Sequence, residues 1–400
     1  MIKDKSRKLL AGMVLASLFG AAPAFAGAFG MYSMGSPESL SLGGATAGRD
    51  DLPANAWYNP AALGGIKSPM LQMNGVMVGL SSNYHGTNGL ETRNESGDLV
   101  VCPSMFYVHP IAESPWRFSL SLFSPYGFEC HWSEGDRLAP MSPVDTSIKN
   151  IYLSPTLSYD VNDQLTLAAG VSGILGQTKM SVTTDGVGSP LFEYDSWGLG
   201  YAWHLAAFYK LNDQWSAGIK YQSSALMRYE GPTSGPGTLN SGGVMHLRLP
   251  QSVTAGIAYK PTTDWTLSAD VVWTGWSSVK DLTLDLDRGS LPPANDTLSM
   301  RKEWNDVFSY RFGAEYKLDR NWRLRCGYAF DNGPIPTDTR SPDLPVGDLH
   351  EFSLGFGYEA DKWGIDVGYA YFLYQRAEDM YGANYDSNIH FLSLGFKYVF

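Results

Sequence analysis

The chain has 400 residues, a formal charge of −11, 17% charged residues, 13% aromatics and 43 glycines. Acidity without a basic tract argues against nucleic acid as a partner, and the charge content falls below the ~25% usual in soluble domains. After Gly27 no apolar run reaches the ~18 residues of a spanning helix, so any membrane crossing has to be made by strands.

The N-terminus reads as a leader. Lys3, Lys5, Arg7 and Lys8 form a positive region, Leu9 to Gly20 an apolar core, and Ala24-Phe25-Ala26 a small-x-small cleavage site. Residues 1–26 are therefore expected to be a cleaved signal peptide, with Gly27 as the mature start. Residues 27–67 follow, rich in Gly, Ala, Asn and Pro, with Gly43–Leu63 reading GGATAGRDDLPANAWYNPAAL. This stretch lacks the periodicity of a strand or of an amphipathic helix. Something around it must hold it, and it reads as a plug, or hatch, inside a barrel made by residues 68–400.

From Met70 onward the pattern has period two. Trp322, Leu324, Cys326, Tyr328 and Phe330 share one face, while Arg323, Arg325 and Gly327 share the other. About fourteen strands are expected, near 69–83, 99–109, 115–126, 149–160, 164–181, 195–211, 214–229, 244–260, 264–285, 305–318, 321–331, 349–359, 362–376 and 388–400. Tight connections at 160–163, 211–214, 260–264, 318–321 and 359–362 alternate with long ones, as in an up-and-down barrel with short periplasmic turns. Trp116, Trp215, Trp265, Trp322 and Trp363 each stand just after a short turn, like an interfacial girdle. The fold class is an all-β, fourteen-stranded antiparallel transmembrane barrel with an N-terminal hatch in its lumen, in the bacterial outer membrane. The last strand alternates Leu392, Leu394, Phe396, Tyr398 and Phe400. Such an ending resembles the terminal strand that barrel-insertion machinery reads in outer-membrane proteins.

Alternation turns Lys220, Arg248, Arg311, Lys317, Arg323 and Arg325 inward, together with Asp270, Glu315, Glu351 and Asp366. Two readings stay open: an ion-pair network filling the lumen, or one or two cations holding a ligand carboxylate. Arg311 and Arg325, on adjacent strands, are the candidates for the second. Cys102, Cys130 and Cys326 fit no zinc spacing; a Cys102–Cys130 disulfide and three free thiols both remain open. The seven histidines stand in no GxSxG, HExxH or acid/base arrangement. No catalytic residue, metal or cofactor is assigned, and the chain reads as a non-enzyme.

Several motifs in order carry a family resemblance. They are Leu42-Gly43-Gly44-Ala45, Asn59-Pro60-Ala61, Ser124-Pro125-Tyr126-Gly127, the strand Trp265–Trp276, Tyr328-Ala-Phe-Asp-Asn-Gly-Pro-Ile-Pro336 and Pro342-Asp-Leu-Pro345. With them, almost the whole mature chain resembles FadL/TodX-type outer-membrane transporters of long-chain fatty acids and other hydrophobic compounds. The resemblance implies entry through an external apolar groove, a second pocket near the hatch, and sideways exit at a kinked third strand, with no coupled energy source. It gives Gly27 and Phe29 a place at the inner pocket.

Phe123, Pro125, Tyr126 and Gly127 fit the kink: alternation fails at Phe123, Pro125 has no N–H, and Gly127 permits unusual dihedrals. Asn59, held extended by Pro60, is expected to cap unpaired groups at that gap, to start a helix as N-cap with Pro60 at N1, or to do both. The hatch and the kink are expected to touch and together set the exit. The loop at 181–194 is short, so loops 127–149 and 286–304 are expected to build the outer groove. Expected partners are a hydrophobic ligand (fatty acid, alkane or aromatic), outer-membrane lipid and lipopolysaccharide, for a monomeric chain. A hydrophilic diffusion porin and a lipid-modifying enzyme are the competing functions.

Overall fold

The computed structural model describes residues 32–87, 89–94, 100–132, 143–182, 192–235, 240–287 and 296–400. The leader, Gly27 and Phe29 lie outside the described residues, as do the middles of loops 127–149, 181–194 and 286–304.

A strand with one apolar face must hide that face from water. Here fourteen antiparallel staves close into a ring that turns the apolar face outward. They are β1 (Met70–His85), β2 (Val100–Pro110), β3 (Trp116–His131), β4 (Pro143–Asp160), β5 (Leu165–Val182), β6 (Phe192–Lys210), β7 (Trp215–Gln222 and Ala225–Ser234), β8 (Ser241–Leu249 and Ser252–Tyr259), β9 (Trp265–Thr274 and Asp281–Leu286), β10 (Thr297–Arg301 and Val307–Lys317), β11 (Trp322–Asp331), β12 (Leu349–Glu359), β13 (Trp363–Tyr374) and β14 (Asn384–Val399). Each pairs with the next, and β14 closes on β1 from Met70↔Val399 to His85↔Asn384.

The tight turns gather at one end of the barrel, its lower end. Asn162, Asn212, Thr262 and Asp319 each accept from backbone N–H groups two and three residues on, which closes the turn locally. The five tryptophans after these turns are exposed, and each packs against a neighbouring tyrosine ring. That ring of aromatics marks the lower membrane interface.

Several staves are interrupted about halfway up. β3 has a bulge between Phe123 and Tyr126. β7 breaks at Ser223-Ser224, β8 at Pro250-Gln251, β9 at Gly275 before a 3-10 turn Trp276–Ser278, and β10 over 302–306. A one-residue slip sends every later side chain to the opposite face. In β3 the buried set is Ser119 and Ser121 below the bulge but Phe128 and Cys130 above it. In β7 it changes from Lys220 and Gln222 to Met227 and Tyr229, and in β8 from Thr254 and Ala258 to Leu249, Leu247 and Met245. Arg248 is corrected by the same slip. Parity counted through an unbroken 244–260 turns it inward; the break at Pro250 leaves it exposed outside.

β4 to β6 run without such a chain break, yet reach the same arrangement. Their lower buried residues include Thr156, Ser158, Thr166 and Ser172, and their upper ones Ile148, Tyr152, Ile174, Met180, Phe192 and Tyr194. The lumen is therefore polar or small-sided below and apolar above.

Residues 32–67 fill the lower lumen. A 3-10 turn (Tyr32–Gly35) leads to α1 (Pro37–Ser41), started by a Ser36 capping box with Pro37 in the first turn, and then to α2 (Asn55–Tyr58). The fit is close. A Cβ on Gly218, Gly327 or Gly355 of the wall would collide with Ala47, Gly43 or Ser41. Gly43 itself has φ 60°, a conformation costly for other residues.

Ion pairs tie the segment to the wall. Arg49 meets Asp51 and Glu315, Arg325 meets Glu315 at 2.6 Å and Asp366 at 2.7 Å, and Lys397 meets Asp366 and Glu38. The three cysteines are free: Cys102 and Cys130 are buried, and the Cys130 thiol donates to the Pro342 carbonyl at 3.3 Å.

Candidate functional site

A chamber lies where the polar and apolar halves of the lumen meet. It holds about 910 Å³ of empty space, counted out to its mouth. Its floor is Tyr32, Trp57 and Tyr58 of the hatch segment. Its walls bring in Pro125 and Tyr126 from β3, Lys220 and Gln222 from β7, Ser252 and Thr254 from β8, Trp276 beyond the β9 break, and Arg311 from β10. Pro334, Leu344 and Val346 of the 332–348 connection form its roof. The mixture of aromatic walls with a few polar groups suits a small amphiphile or hydrocarbon.

The roof is held by its own chemistry. Asp343 pairs with Lys302 at 2.7 Å, and Arg340 donates to the carbonyls of Ile335, Val346 and Glu378. Burial pushes the Asp343 carboxyl up, but Lys302 and Ser341 outweigh it and hold the group below the usual carboxylate range. Leu344 also lines a second, smaller cavity above the chamber. That one is walled by Phe128, Ile148, Met180, Met245, Leu247, Leu282 and Trp304. The expected outer groove thus has an apolar counterpart built by the upper staves.

Beside the chamber the wall is interrupted. Among the described residues, β2 and β3 pair from Pro110↔Arg117 to Met105↔Leu122, and the next pairing on that side is the single bridge Asn94↔Trp132 just past the end of β3. On its other side the bulge sets Ser124 and Pro125 out of register with β4, and Ser124 Oγ donates to the Asn150 carbonyl at 2.7 Å. Pro125 cannot donate to a ladder, which places it where one stops. β3 nevertheless continues through Gly127 to His131, so Pro125 and Gly127 are mid-strand rather than a turn into the loop.

The hatch segment meets this break through residues just before the expected ones. Trp57 packs edge-on against Phe123 at 5.6 Å and against Tyr152 at 5.3 Å, and Tyr58 lies 6.2 Å from Phe123. Tyr126 reaches across to Trp276 at 5.7 Å. Asn59 faces elsewhere. Its Nδ2 donates to the Ala47 carbonyl at 2.8 Å and the Ala207 carbonyl of β6 at 3.3 Å, while Oδ1 accepts from Ala61 N–H at 3.2 Å. Ala61 packs with Ala168, Ala206 and Phe208. Both expectations for Asn59 are therefore corrected. It caps no group at the strand-three gap, and it closes α2 at the C-terminal end rather than starting a helix. Pro60 follows as a helix stop.

The two candidate arginines separate. Arg311 lines the chamber, but its Nη2 is on Asp331 at 2.8 Å and its Nη1 donates to the Gly43 carbonyl at 3.0 Å. Arg325 is absent from the chamber wall and is engaged by Glu315 and Asp366. Both guanidinium groups stand in ion pairs, the arrangement that the network reading expects. Sequence reasoning missed Tyr32, Trp57, Trp276 and the roof as chamber residues, and took Lys220 only as one inward cation among six. The prolines at 334, 336, 342 and 345 were the available signal that 332–348 is a fixed structure rather than a mobile loop.

Comparison with known proteins agrees with this geometry. A family model described as outer membrane protein transport protein (OMPP1/FadL/TodX) matches residues 17–400. The chain is 22% identical over 394 residues to the long-chain fatty acid transport protein of Escherichia coli O6:H1, covering 85% of this chain and 86% of that one. Its fold matches the crystal structure of a Pseudomonas aeruginosa FadL homologue with TM-score 0.82 at 21% identity, over 93% of this chain and 100% of the other. The P. putida toluene transporter TodX matches with TM-score 0.73 at 18% identity, over 92% and 99%.

Proposed function

The chain belongs to the OMPP1/FadL/TodX family of outer-membrane transport proteins, and on that premise we propose that it takes up hydrophobic molecules passively, through the chamber and out sideways at the β2/β3 interruption. The observation that carries this reading is the meeting of three features at one place: a chamber of aromatic walls with a few polar groups, the end of the β2–β3 ladder at Leu122, and the Trp57–Phe123 contact between hatch segment and wall. The substrate class is that of the similar proteins, long-chain fatty acids or monoaromatic and alkyl hydrocarbons.

Physical chemistry favours a sideways exit. Moving apolar surface into water costs roughly 25 cal/mol per Å². A route from the apolar upper lumen through the chamber into lipid never exposes the ligand to bulk water. The hatch segment closes the straight path through ion pairs and close glycine contacts, and so stays in place while ligand passes beside it. Outer-membrane lipid and lipopolysaccharide surround the girdled band. The protein acts as a monomer, its C-terminal strand ending in Phe400 is what insertion machinery engages, and transport involves no catalysis.

Uptake of labelled oleate, toluene and hexadecane by cells with and without the gene tests the proposal. Gene-dependent uptake of at least one supports it; uptake identical in both strains for all three contradicts it. Planar-bilayer recording separates the porin alternative, since large, stable ion conductance would mean an aqueous pore.

A further inference from the structure

On the outside of β6, β7 and β8 apolar and charged side chains are layered by height. Leu199 and Tyr201 of β6 and Leu226 of β7 are 62%, 77% and 50% exposed and continue the lipid-facing surface upward. Arg228 pairs with Leu199 across the β6–β7 ladder and with His246 across the β7–β8 ladder. Arg248, the next outward residue of β8, pairs with Leu226. Both arginines are exposed, and the slips at Ser223-Ser224 and Pro250-Gln251 are what turn them outward. Their height follows from β6, which is unbroken. Leu199 lies ten residues above Tyr209 at its lower end. At a rise of ~3.3 Å per residue and a tilt of ~40°, that is about 25 Å, the height of a barrel's apolar band. Arg228, His246 and Arg248 therefore stand where acyl chains end and head groups begin, in the leaflet away from the short turns.

Two guanidinium groups at neighbouring outward positions of one ladder repel unless an anion lies between them. The described carboxylates do not supply it. Glu230 pairs with Arg228, and Asp285 lies 3.9 Å from His246. Both belong to the next outward row, further from the apolar band, since Val244 pairs with each of them. Such exposed pairs contribute little. Arg248 has no described carboxylate within 4 Å, and it is the cation nearest the lipid.

We propose that Arg228 and Arg248, with His246 between them, hold a phosphate of one lipopolysaccharide molecule, whose acyl chains lie over Leu226, Leu199 and Tyr201. The guanidinium fork matches phosphate oxygens. The occupant needs an anionic head at this height and an apolar body directly below it. A phosphorylated glycolipid of the surface leaflet has both; a soluble anion or an acidic protein has only the first. The site lies on the outside of the wall, so it holds whichever compound the lumen carries. It also bears on the wall itself. β7 and β8 break just below it, beside Gln222 and Ser252 of the chamber. A head group shared by Arg228 of β7 and Arg248 of β8 bridges the two staves directly above their interruptions.

Equilibrium binding of diphosphorylated lipid A, and of the same lipid with its phosphates removed, tests this on the full-length protein in dodecyl maltoside. Wild type is compared with the double variant Arg228→Gln/Arg248→Gln. A second double variant, Lys179→Gln/Arg301→Gln, removes the same charge elsewhere on the upper rim. Each is confirmed folded by heat-modifiable gel mobility. The expected result is affinity for diphosphorylated lipid A lowered about tenfold or more in Arg228→Gln/Arg248→Gln and changed less than about twofold in the control. The dephosphorylated lipid is expected to bind all three forms alike and more weakly than wild type binds lipid A. A large excess of inorganic phosphate should leave wild-type binding of lipid A within about twofold. Equal losses in the two double variants would make the attraction a diffuse charge effect and overturn the site. Binding unchanged in Arg228→Gln/Arg248→Gln would overturn it too, as would wild type that binds the two lipids equally. Displacement of lipid A by inorganic phosphate would make this a site for free anions and overturn the lipid assignment.

Discussion

β3, β7 and β8 solve one problem in a different way from β4, β5 and β6. Every stave passes from a lower band that faces lipid outside and a polar hatch segment inside to an upper band whose inside is apolar. In β3, β7 and β8 the apolar residues keep the same sequence parity throughout: Phe118, Leu120, Leu122, Phe128 and Cys130 are all even, and Met245, Leu247, Leu249, Val253, Ile257 and Tyr259 are all odd. The chain slips by a residue between the bands, and the same parity turns from outside to inside. In β4 to β6 the chain does not break, and the apolar parity itself changes, as from Ile148 and Tyr152 to Leu153 and Leu157. The slipped staves interrupt their hydrogen bonding as a consequence, and the chamber opens beside those interruptions. The unbroken staves β4 to β6 contribute no residue to its lining.

That comparison can be broken first in the lower lumen. Arg325→Met breaks two buried ion pairs at once, leaving Glu315 with Arg49 alone and Asp366 with Lys397 alone, which should cost ~3–5 kcal/mol in urea unfolding from lipid vesicles. Arg248→Met, on a strand of the upper band but outside, should stay within about 0.5 kcal/mol. Comparable losses in the two would contradict the parity slip at Pro250.

The outer faces give a smaller contrast. Leu354→Arg on β12 puts a charge among lipid tails and should cost ~2–4 kcal/mol, whereas Leu226→Arg, just above the β7 break, should cost about 0–1 kcal/mol. Equal costs would place the membrane band elsewhere on the barrel.

The smallest effect concerns the roof. The folded carboxyl of Asp343 titrates below its unfolded value of about 3.9. Its pairing with Lys302 is therefore fully stabilising above that pH and is lost as pH falls through the lower, folded value. Protection factors for hydrogen exchange in 332–348, corrected for the intrinsic pH dependence, should fall on acidification below about pH 4, while the lower β4–β6 ladders stay protected. Protection that improves on acidification would reverse the sign.

Much of this was legible in the sequence because period-two alternation and Trp-after-turn placement are local signals. The staves, the girdle, the ring closure and the kink at Phe123–Pro125 all follow from them. The slips at Ser223-Ser224 and Pro250-Gln251 were not legible, for a physical reason. The side chain's surroundings change from lipid to lumen at the same point where the face changes, so the apolar parity runs on undisturbed and only Pro250 marks the place. Arg248 was turned the wrong way by that continuity. Asn59 was assigned to the wrong wall because an amide's partners 148 residues away leave no trace in spacing.

The central claim is that ligand leaves through the wall beside β3. In a chain whose three native cysteines are replaced by alanine, Ser104→Cys and Phe123→Cys place one thiol on each side of the point where the β2–β3 ladder ends. Uptake of the transported compound is then measured before and after bridging the pair with a short, reducible thiosulfonate cross-linker, and again after reduction. Lateral exit predicts uptake falling to the level of cells without the gene when bridged and returning on reduction. Uptake unchanged by the bridge would contradict it.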